Sequence, residues 1–562
     1  MTCVESLLSI CFVTVNSEAN IFAFKDFIAA LALLIIIYTI SDIRYRFRVS
    51  VLPTPLFKIS YRLIVFIGFG TLATDIWISE KWLVPNSLIT TAIWQGILAM
   101  LFLSLVITWM RCAFIKPPIF GRDNYQKYAQ ELYRIVLKGS ETELPIIAHE
   151  LAASAKPLIT LAANLQNVEA ATDEKLEPCA EGHASDMLLL IANRRFCRHL
   201  VASSPLTAIR LLDAVAEAKA YHVQIGLFVQ NVSTEAIRNK DSGLYHEDEG
   251  YYSGLLGYIK PFSQALYGNY ELVEALKHHS PLDIHYESVW AWDADQFETY
   301  CRVVQMTFQS YLEGGYWGSH SYVLTRALGD IQETTSRAIL DIKKTDADYF
   351  EDAWRRLEVG VRCIEDIIDA IGKLDPLPKA RSLRIHDHKH WNEDFYDQLA
   401  KVMFEIIHSA ASIDGPPDKA WSIQHNTVWN RFFGLDKDNM AWKIVQFKLR
   451  RLLYNEIRNL ESFPTYKTTR VLAMCLNVMG LKLGKRSNHG RDYAALKAAV
   501  LACTQRNFLH LREDNHELAD SCLIGGISFD AEQLRLVKTY LKGLKPEPDR
   551  EYLPLDAPTV TA

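Results

Sequence analysis

The chain has 562 residues, a formal net charge of −6, 49% hydrophobic residues and 22% charged residues. Its length exceeds what a single core serves, roughly 250–300 residues, and its composition excludes a disordered or fibrous chain. Charge is unevenly placed: residues 1–116 hold 9 Lys/Arg and 6 Asp/Glu, a net of +3, and the remainder holds 51 and 60, a net of −9, so neither part reads as a general nucleic-acid binder.

The N-terminal part is dominated by apolar stretches. Leu7–Val15 is too short to span a bilayer, and the first Lys is Lys25, so the positive start of a signal peptide is missing. Phe27–Ser41 is free of charge, Leu63–Ser79 is apolar except for Asp75, and Trp82–Met110 runs for 29 residues without a charge. A helix needs roughly 20 mainly apolar residues to cross. The reading is a membrane anchor over 1–116 with spans at about 25–41, 63–79 and 87–110, the first extended by interfacial Phe22 and Phe24. Arg44, Arg46, Arg48, Lys58 and Arg62 lie between the first two spans, and Lys81 alone lies between the second and third. The positive-inside rule then places the N-terminus outside and the C-terminal body in the cytoplasm of a plasma (inner) membrane protein.

The body reads as mainly α and irregular, with helical subdomains over 117–285, 286–375 and 376–545. Tyr125, Tyr128, Leu132, Ile135 and Val136 recur at helical steps. Ser140 and Glu143 have capping-box spacing before an apolar helix through Leu151. Ala171–Ala184 reads as a loop, and Met187–Ala220 as helix with Pro205 at a helix start. Tyr221–Val232 alternates like a strand but is read as helix, because its flanks are helical and no partner strand is evident. Ser242–Gly268 reads as an ordered loop. Helices are expected at Asp295–Glu313, Tyr322–Lys343, Asp346–Leu374, Asn392–Ser412, Met440–Leu460, Lys467–Leu483, Tyr493–Arg512 and Ala531–Leu541. Residues 546–562, with Pro546, Pro548, Pro554 and Pro558, read as a disordered tail. The ten cysteines are scattered with no C-x-x-C pair, which fits a reducing compartment.

No motif fixes a chemistry or a cofactor. The His149–Glu150 pair lacks the second histidine of a zinc protease, which position 153 would have to supply. Gly480–Ser487 resembles a phosphate loop, but it is one residue short and places Arg486 where Ser or Thr should hold magnesium. Four features stand as candidates. Asp75 is a carboxylate inside an apolar span, where it would line a pore or proton path, or else reach headgroup water near the outer end. His386, His388 and His390 would share one side of an extended chain, as metal ligands must, or lie in a surface loop. Lys443–Arg491 has a net charge of +9, with Arg450, Arg451 and Arg458 opposite an apolar stripe, and Asp241–Tyr300 has a net of −9. The basic block would take a phosphate-bearing ligand or anionic lipid, unless the two blocks face each other or water. Trp290, Trp292, Trp317, Trp421 and Trp429 are docking anchors or, more simply, core.

Three functions fit these readings. The first is an integral membrane protein whose cytoplasmic body senses a signal or partner and acts through its spans, alone or as a homo-oligomer; a bacterial stress or anti-phage effector would suit this layout. The others are a membrane-tethered enzyme and a non-catalytic scaffold for a protein partner that the sequence does not name.

Overall fold

The computed structural model describes residues 5–7, 10–14, 21–40, 42–85, 90–115, 117–165, 178–247, 260–344, 351–383, 393–434, 437–483, 493–540 and 547–556. The fold is mainly α: apolar helices come first and a larger helical body follows, with two small three-stranded sheets among the described residues. The chain divides into two compact units, Met1–Phe228 and Val229–Ala562.

In the first unit, the described residues of the apolar stretch near the start are strand. Strands β1 (Glu5–Leu7) and β2 (Ile10–Thr14) form a hairpin, and β2 also pairs with β3 (Leu83–Pro85), Phe12 facing Pro85 and Thr14 facing Leu83. Helix α1 (Phe24–Ile40) packs against α3 (Leu56–Ser79), and α3 against α4 (Thr91–Met110), with α2 (Ile43–Ser50) between α1 and α3 in sequence. The segments Leu56–Ser79 and Thr91–Ile115 are long and apolar enough to cross a membrane. Helix α1 is shorter, at 17 residues. Helix α3 starts seven residues before the expected span, directly after the turn that ends at Pro55, and its first turns carry exposed Lys58 and Arg62.

These helices bury Phe27, Ile67 and Leu98 against one another, with Phe22, Leu63 and Phe102 around them. A Cβ on Gly68 would lie 3.0 Å from the Phe27 ring and one on Gly70 3.1 Å from Leu98, so α3 is approached on both sides through small residues, as membrane helices are. Their outward residues, among them Phe66, Phe69, Met100 and Leu103, are exposed. Such a surface is unfavourable in water and suited to hydrocarbon.

The rest of this unit is helical: α5 (Tyr125–Lys138), α6 (Glu143–Ala153), α7 (Ala155–Ala163), α8 (Ala180–Ile191), α9 (Arg194–Ser203) and α10 (Pro205–Ala218). Tyr128, Leu132, Ile135 and Val136 form the buried stripe of α5, as their spacing requires. Half of the expected capping box forms, with the Glu143 carboxylate accepting from the Ser140 N–H at 2.8 Å. Helices α6 and α7 are together apolar enough for a broken span, bent by 66°. Their apolar residues are buried, and α10 packs against both.

The boundary between the units falls inside α11 (Gly226–Arg238). The Tyr221–Val232 segment is therefore helical from Gly226 onward, and Val223 and Ile225 lie in the preceding turn. The Ser242–Gly268 stretch contains two short helices, Gly243–His246 and Pro261–Tyr267, where a loop was expected. The second unit is built on α12 (Ala294–Glu313), α13 (Tyr322–Lys344), α14 (Glu351–Gly372), α15 (Phe395–Ala411), α16 (Met440–Arg458), α17 (Tyr466–Met479) and α18 (Ala494–Asp514). Helix α14 packs on α12, α13 and α16; α15 lies against α13, α16 and α17; and α18 closes on α16 and α17. Asp293 and Asp394 begin α12 and α15 with full capping boxes.

Two expectations at the C-terminal end are corrected. Where a helix was expected at Ala531–Leu541, the chain forms β4 (Ile527–Asp530) and β5 (Arg535–Thr539), and where a disordered tail was expected it forms β6 (Arg550–Pro554). The three pair antiparallel, Ile527 facing Lys538 and Leu536 facing Leu553. Gly525 and Gly526, at φ +61° and +85°, make the turn that turns the chain into the sheet. Along β5, Leu536 and Lys538 are buried while their neighbours are half-buried, a period of two. Pro548 precedes β6 and Pro554 is its last residue, on an edge strand that tolerates it, while Pro546 and Pro558 lie outside the described residues.

Candidate functional site

The segment between α1 and α3 is built into the helical body. Helix α2 carries Arg44 and Arg48 four residues apart, hence on one face. The Arg48 guanidinium donates from Nε to Glu150 Oε2 at 2.7 Å and from Nη2 to Glu150 Oε1 at 2.8 Å, a bidentate pair. Its Nη1 donates to the Ala113 carbonyl at 2.8 Å, and the Arg44 Nε lies 3.3 Å from Glu150 Oε1. Glu150, on α6, is buried. Ala113 lies in the π turn Arg111–Ile115 that ends the last apolar helix. Its carbonyl is open to a side chain for a reason visible in the sequence: the residues four and five further on are Pro117 and Pro118, which have no N–H to give. One guanidinium thus joins the loop between two apolar helices, the exit of the last one, and the body.

Neighbouring contacts fix this joint on all sides. The Phe47 ring meets Tyr128 edge-on at 5.4 Å, and Tyr45 packs on Phe114 at 4.3 Å. Tyr128 is 3.1 Å from Ser154 Oγ, which accepts the Phe120 N–H at 3.0 Å, and burial pushes the Tyr128 hydroxyl well above its ordinary pKa. Asn124 donates to the Val51 carbonyl at 3.0 Å, and Lys127 donates to the Leu52 and Pro53 carbonyls at 2.9 Å each. In the sequence Glu150 stands out only as half of an incomplete zinc motif. The arginine pair on a short helix and the two prolines after Ala113 were the signals present.

At the other end of the apolar helices, Asp75 Oδ2 accepts the Phe24 N–H at 2.9 Å, and buried Gln95 accepts the Ile21 N–H through Oε1 at 2.9 Å. With Asp26 accepting the Ala23 N–H at 3.1 Å, side-chain oxygens cover amide groups at and just before the start of α1. Asp75 is thereby placed as a cap for α1, its Oδ1 buried without a partner.

The basic block is partly absorbed into the fold. Lys448 is buried on Asp397 and the Ser382 carbonyl, Lys467 pairs with Glu405 at 2.8 Å, and Arg470 with Asp414 at 3.1 Å. His408 and Lys467 hold the Glu405 carboxyl down at about 2, against burial. The phosphate-loop-like stretch is engaged too: the Leu481 N–H donates to Glu551 Oε2 at 2.7 Å, so a carboxylate of β6 takes an amide that a phosphate would want. Of the three arginines, Arg450 is half-buried, while Arg451 and Arg458 are exposed. His386, His388 and His390 lie outside the described residues, and among those described no group of His, Cys, Asp and Glu is arranged to hold a metal. Trp292 and Trp429 are core, whereas Trp290 is exposed beneath the Arg337 guanidinium, 4.2 Å from its ring centre.

One cluster had no signal in the sequence. Asp283 and Asp330 are brought near each other beside Tyr300, whose hydroxyl donates to the Leu282 carbonyl at 3.0 Å and lies 3.4 Å from Asp330 Oδ2. Burial raises both carboxyls, Asp330 to about 6, against the opposing pull of Arg326. His278 and His279 stand at its rim, His278 within 2.8 Å of the Tyr322 hydroxyl and His279 within 3.1 Å of Gln230 Oε1. No protein-family model matches the chain, and no curated protein or solved structure matches it either.

Proposed function

We propose that this chain is a multi-pass membrane protein whose cytoplasmic helical body detects a signal or partner and acts on the bilayer through its spans. The observation that supports this reading is the Arg48 joint: the loop between the apolar helices is clamped by a buried bidentate ion pair to the body instead of trailing in headgroup water. A passive anchor needs no such clamp, whereas a device that moves its spans needs a stiff link to them. An orientation with the basic loop and the body both in the cytoplasm is consistent with this clamp between them.

The test is the membrane potential of bacterial cells expressing the full chain, the full chain with Glu150→Gln, or neither. The reading expects depolarisation by the unaltered chain and its loss in the variant at equal membrane content. A potential that holds while the unaltered chain is fully inserted overturns it. A second reading, a membrane-held enzyme, is supported by the Asp283–Asp330 pair, since carboxylates raised by burial suit acid–base work. It expects any cellular effect to vanish with Asp330→Asn and to survive Glu150→Gln.

A further inference from the structure

Helix α16 has two faces. Trp442, Val445, Leu449, Leu453 and Ile457 are buried in the core of the second unit. On the opposite arc stand Met440, Lys443, Phe447, Arg451, Tyr454 and Arg458, all exposed. These six fall within about 80° of arc at 100° per residue, so they form one straight stripe over five turns. A helix already anchored by its inner face is expected to show water only polar side chains, yet this stripe alternates Met, Phe and Tyr with Lys and Arg. Phe463, 76% exposed, and Tyr466, 56% exposed, continue the pattern just beyond the helix. The only acid on α16, Glu456, is turned away and accepts from the Thr468 hydroxyl at 2.7 Å, while Asp438, just before the helix, pairs with Lys443 at 2.7 Å and leaves the arginines as the open charges of the stripe. Beside Tyr454 and Arg458, exposed Arg506 of α18 adds a second guanidinium to a depression, where Glu461 approaches it only to 3.9 Å.

We infer that this stripe is a docking surface for the anionic face of a lipid bilayer. Positive charges interleaved with exposed apolar and aromatic side chains, at helical spacing, match a headgroup layer, which offers phosphates to Arg451 and Arg458 and hydrocarbon to Met440, Phe447 and Phe463. A nucleic acid would satisfy the charges and leave the Met and Phe side chains in water. The inference rests on the reading that α3 and α4 cross a membrane, because the chain then carries its bilayer with it and needs only weak additional affinity to dock.

The experiment places a photoreactive benzoylphenylalanine at Phe447 of the full chain in vesicles of phosphatidylcholine alone, or with roughly one-third phosphatidylserine. Lipid adducts are expected to rise about tenfold with the anionic lipid, to fall back in high salt and in Arg451→Glu/Arg458→Glu, and to persist in Arg451→Lys/Arg458→Lys. The same label at exposed Tyr286 is expected to show no such dependence. All these positions are exposed, so folding is expected to survive, which an unchanged thermal unfolding curve checks. Equal adducts in both vesicles, adducts to a second copy of the chain, or adducts only to added RNA overturn the proposal. A chain retained by the vesicles in alkaline carbonate but giving no adduct overturns this proposal alone; a chain that washes off overturns the spanning reading beneath it.

Discussion

Glu150 shows how much one side chain can carry. Its two oxygens face Arg48 and Arg44 in a buried setting, so neutralising it leaves a desolvated guanidinium without its counter-charge. Breaking such a pair costs about 3–5 kcal/mol, more than the net value of making it. Glu150→Gln is expected to lower the thermal midpoint of the detergent-solubilised full chain markedly, and Arg48→Lys to do so less, by losing the bidentate geometry. Asp330 works in the opposite sense. Its folded carboxyl titrates at about 6 against an ordinary 3.8, so on raising pH the unfolded chain releases the proton first. The stability it contributes is complete below 3.8 and is lost as pH rises through about 6, by about 3 kcal/mol in all. Denaturation midpoints followed from pH 4 to pH 8 should show that fall in the unaltered chain and a shallower one in Asp330→Asn.

Elements explain why similar-looking sequence took different paths. Asp75 sits in α3 but acts on α1, by accepting an amide at its first turn. Asparagine accepts as well, so Asp75→Asn is expected to leave thermal unfolding nearly unchanged, while Asp75→Leu should cost about 1 kcal/mol through the lost cap. A proton path through Asp75 would instead show itself as a loss of function in the Asn variant. At the C-terminal sheet the deciding residues are glycines. A Cβ on Gly526 would lie 2.5 Å from the Thr539 carbonyl, at a φ of +85° that side chains rarely adopt. Gly526→Ala should therefore destabilise the second unit by about 1–3 kcal/mol, read by denaturant titration. The helix expected at Ala531–Leu541 failed because a few apolar residues fit either period over so short a run. Pairing with β6, distant in sequence, settled the choice.

For the molecule as a whole, the joint at α2 bears on where the membrane part ends. A boundary at residue 116 separates the spans by composition, yet Arg48, Phe47 and Val51 all have partners beyond it. The proposed orientation makes a direct prediction. Protease added to intact cells should spare the body, and protease added to inverted vesicles should cut it away from a protected fragment containing α3 and α4. Cleavage in intact cells would reverse the orientation while leaving the spans in place.

The amphipathic stripe of α5, the long apolar helices and most of the body helices were legible in the chain itself, because each depends on residues three, four or seven apart. The candidate face of α16 was half legible: Arg451 and Arg458 stood out by charge, but only burial showed that Arg450 leaves the stripe and that Met440, Phe447 and Tyr454 join it. The pairing of Arg48 with Glu150, the cap that Asp75 gives to α1, the Asp283–Asp330 cluster and the C-terminal sheet were decided only by tertiary structure. Each joins residues far apart in the chain, and local spacing carries no record of which distant group will satisfy a buried charge, an open amide or an unpaired strand edge.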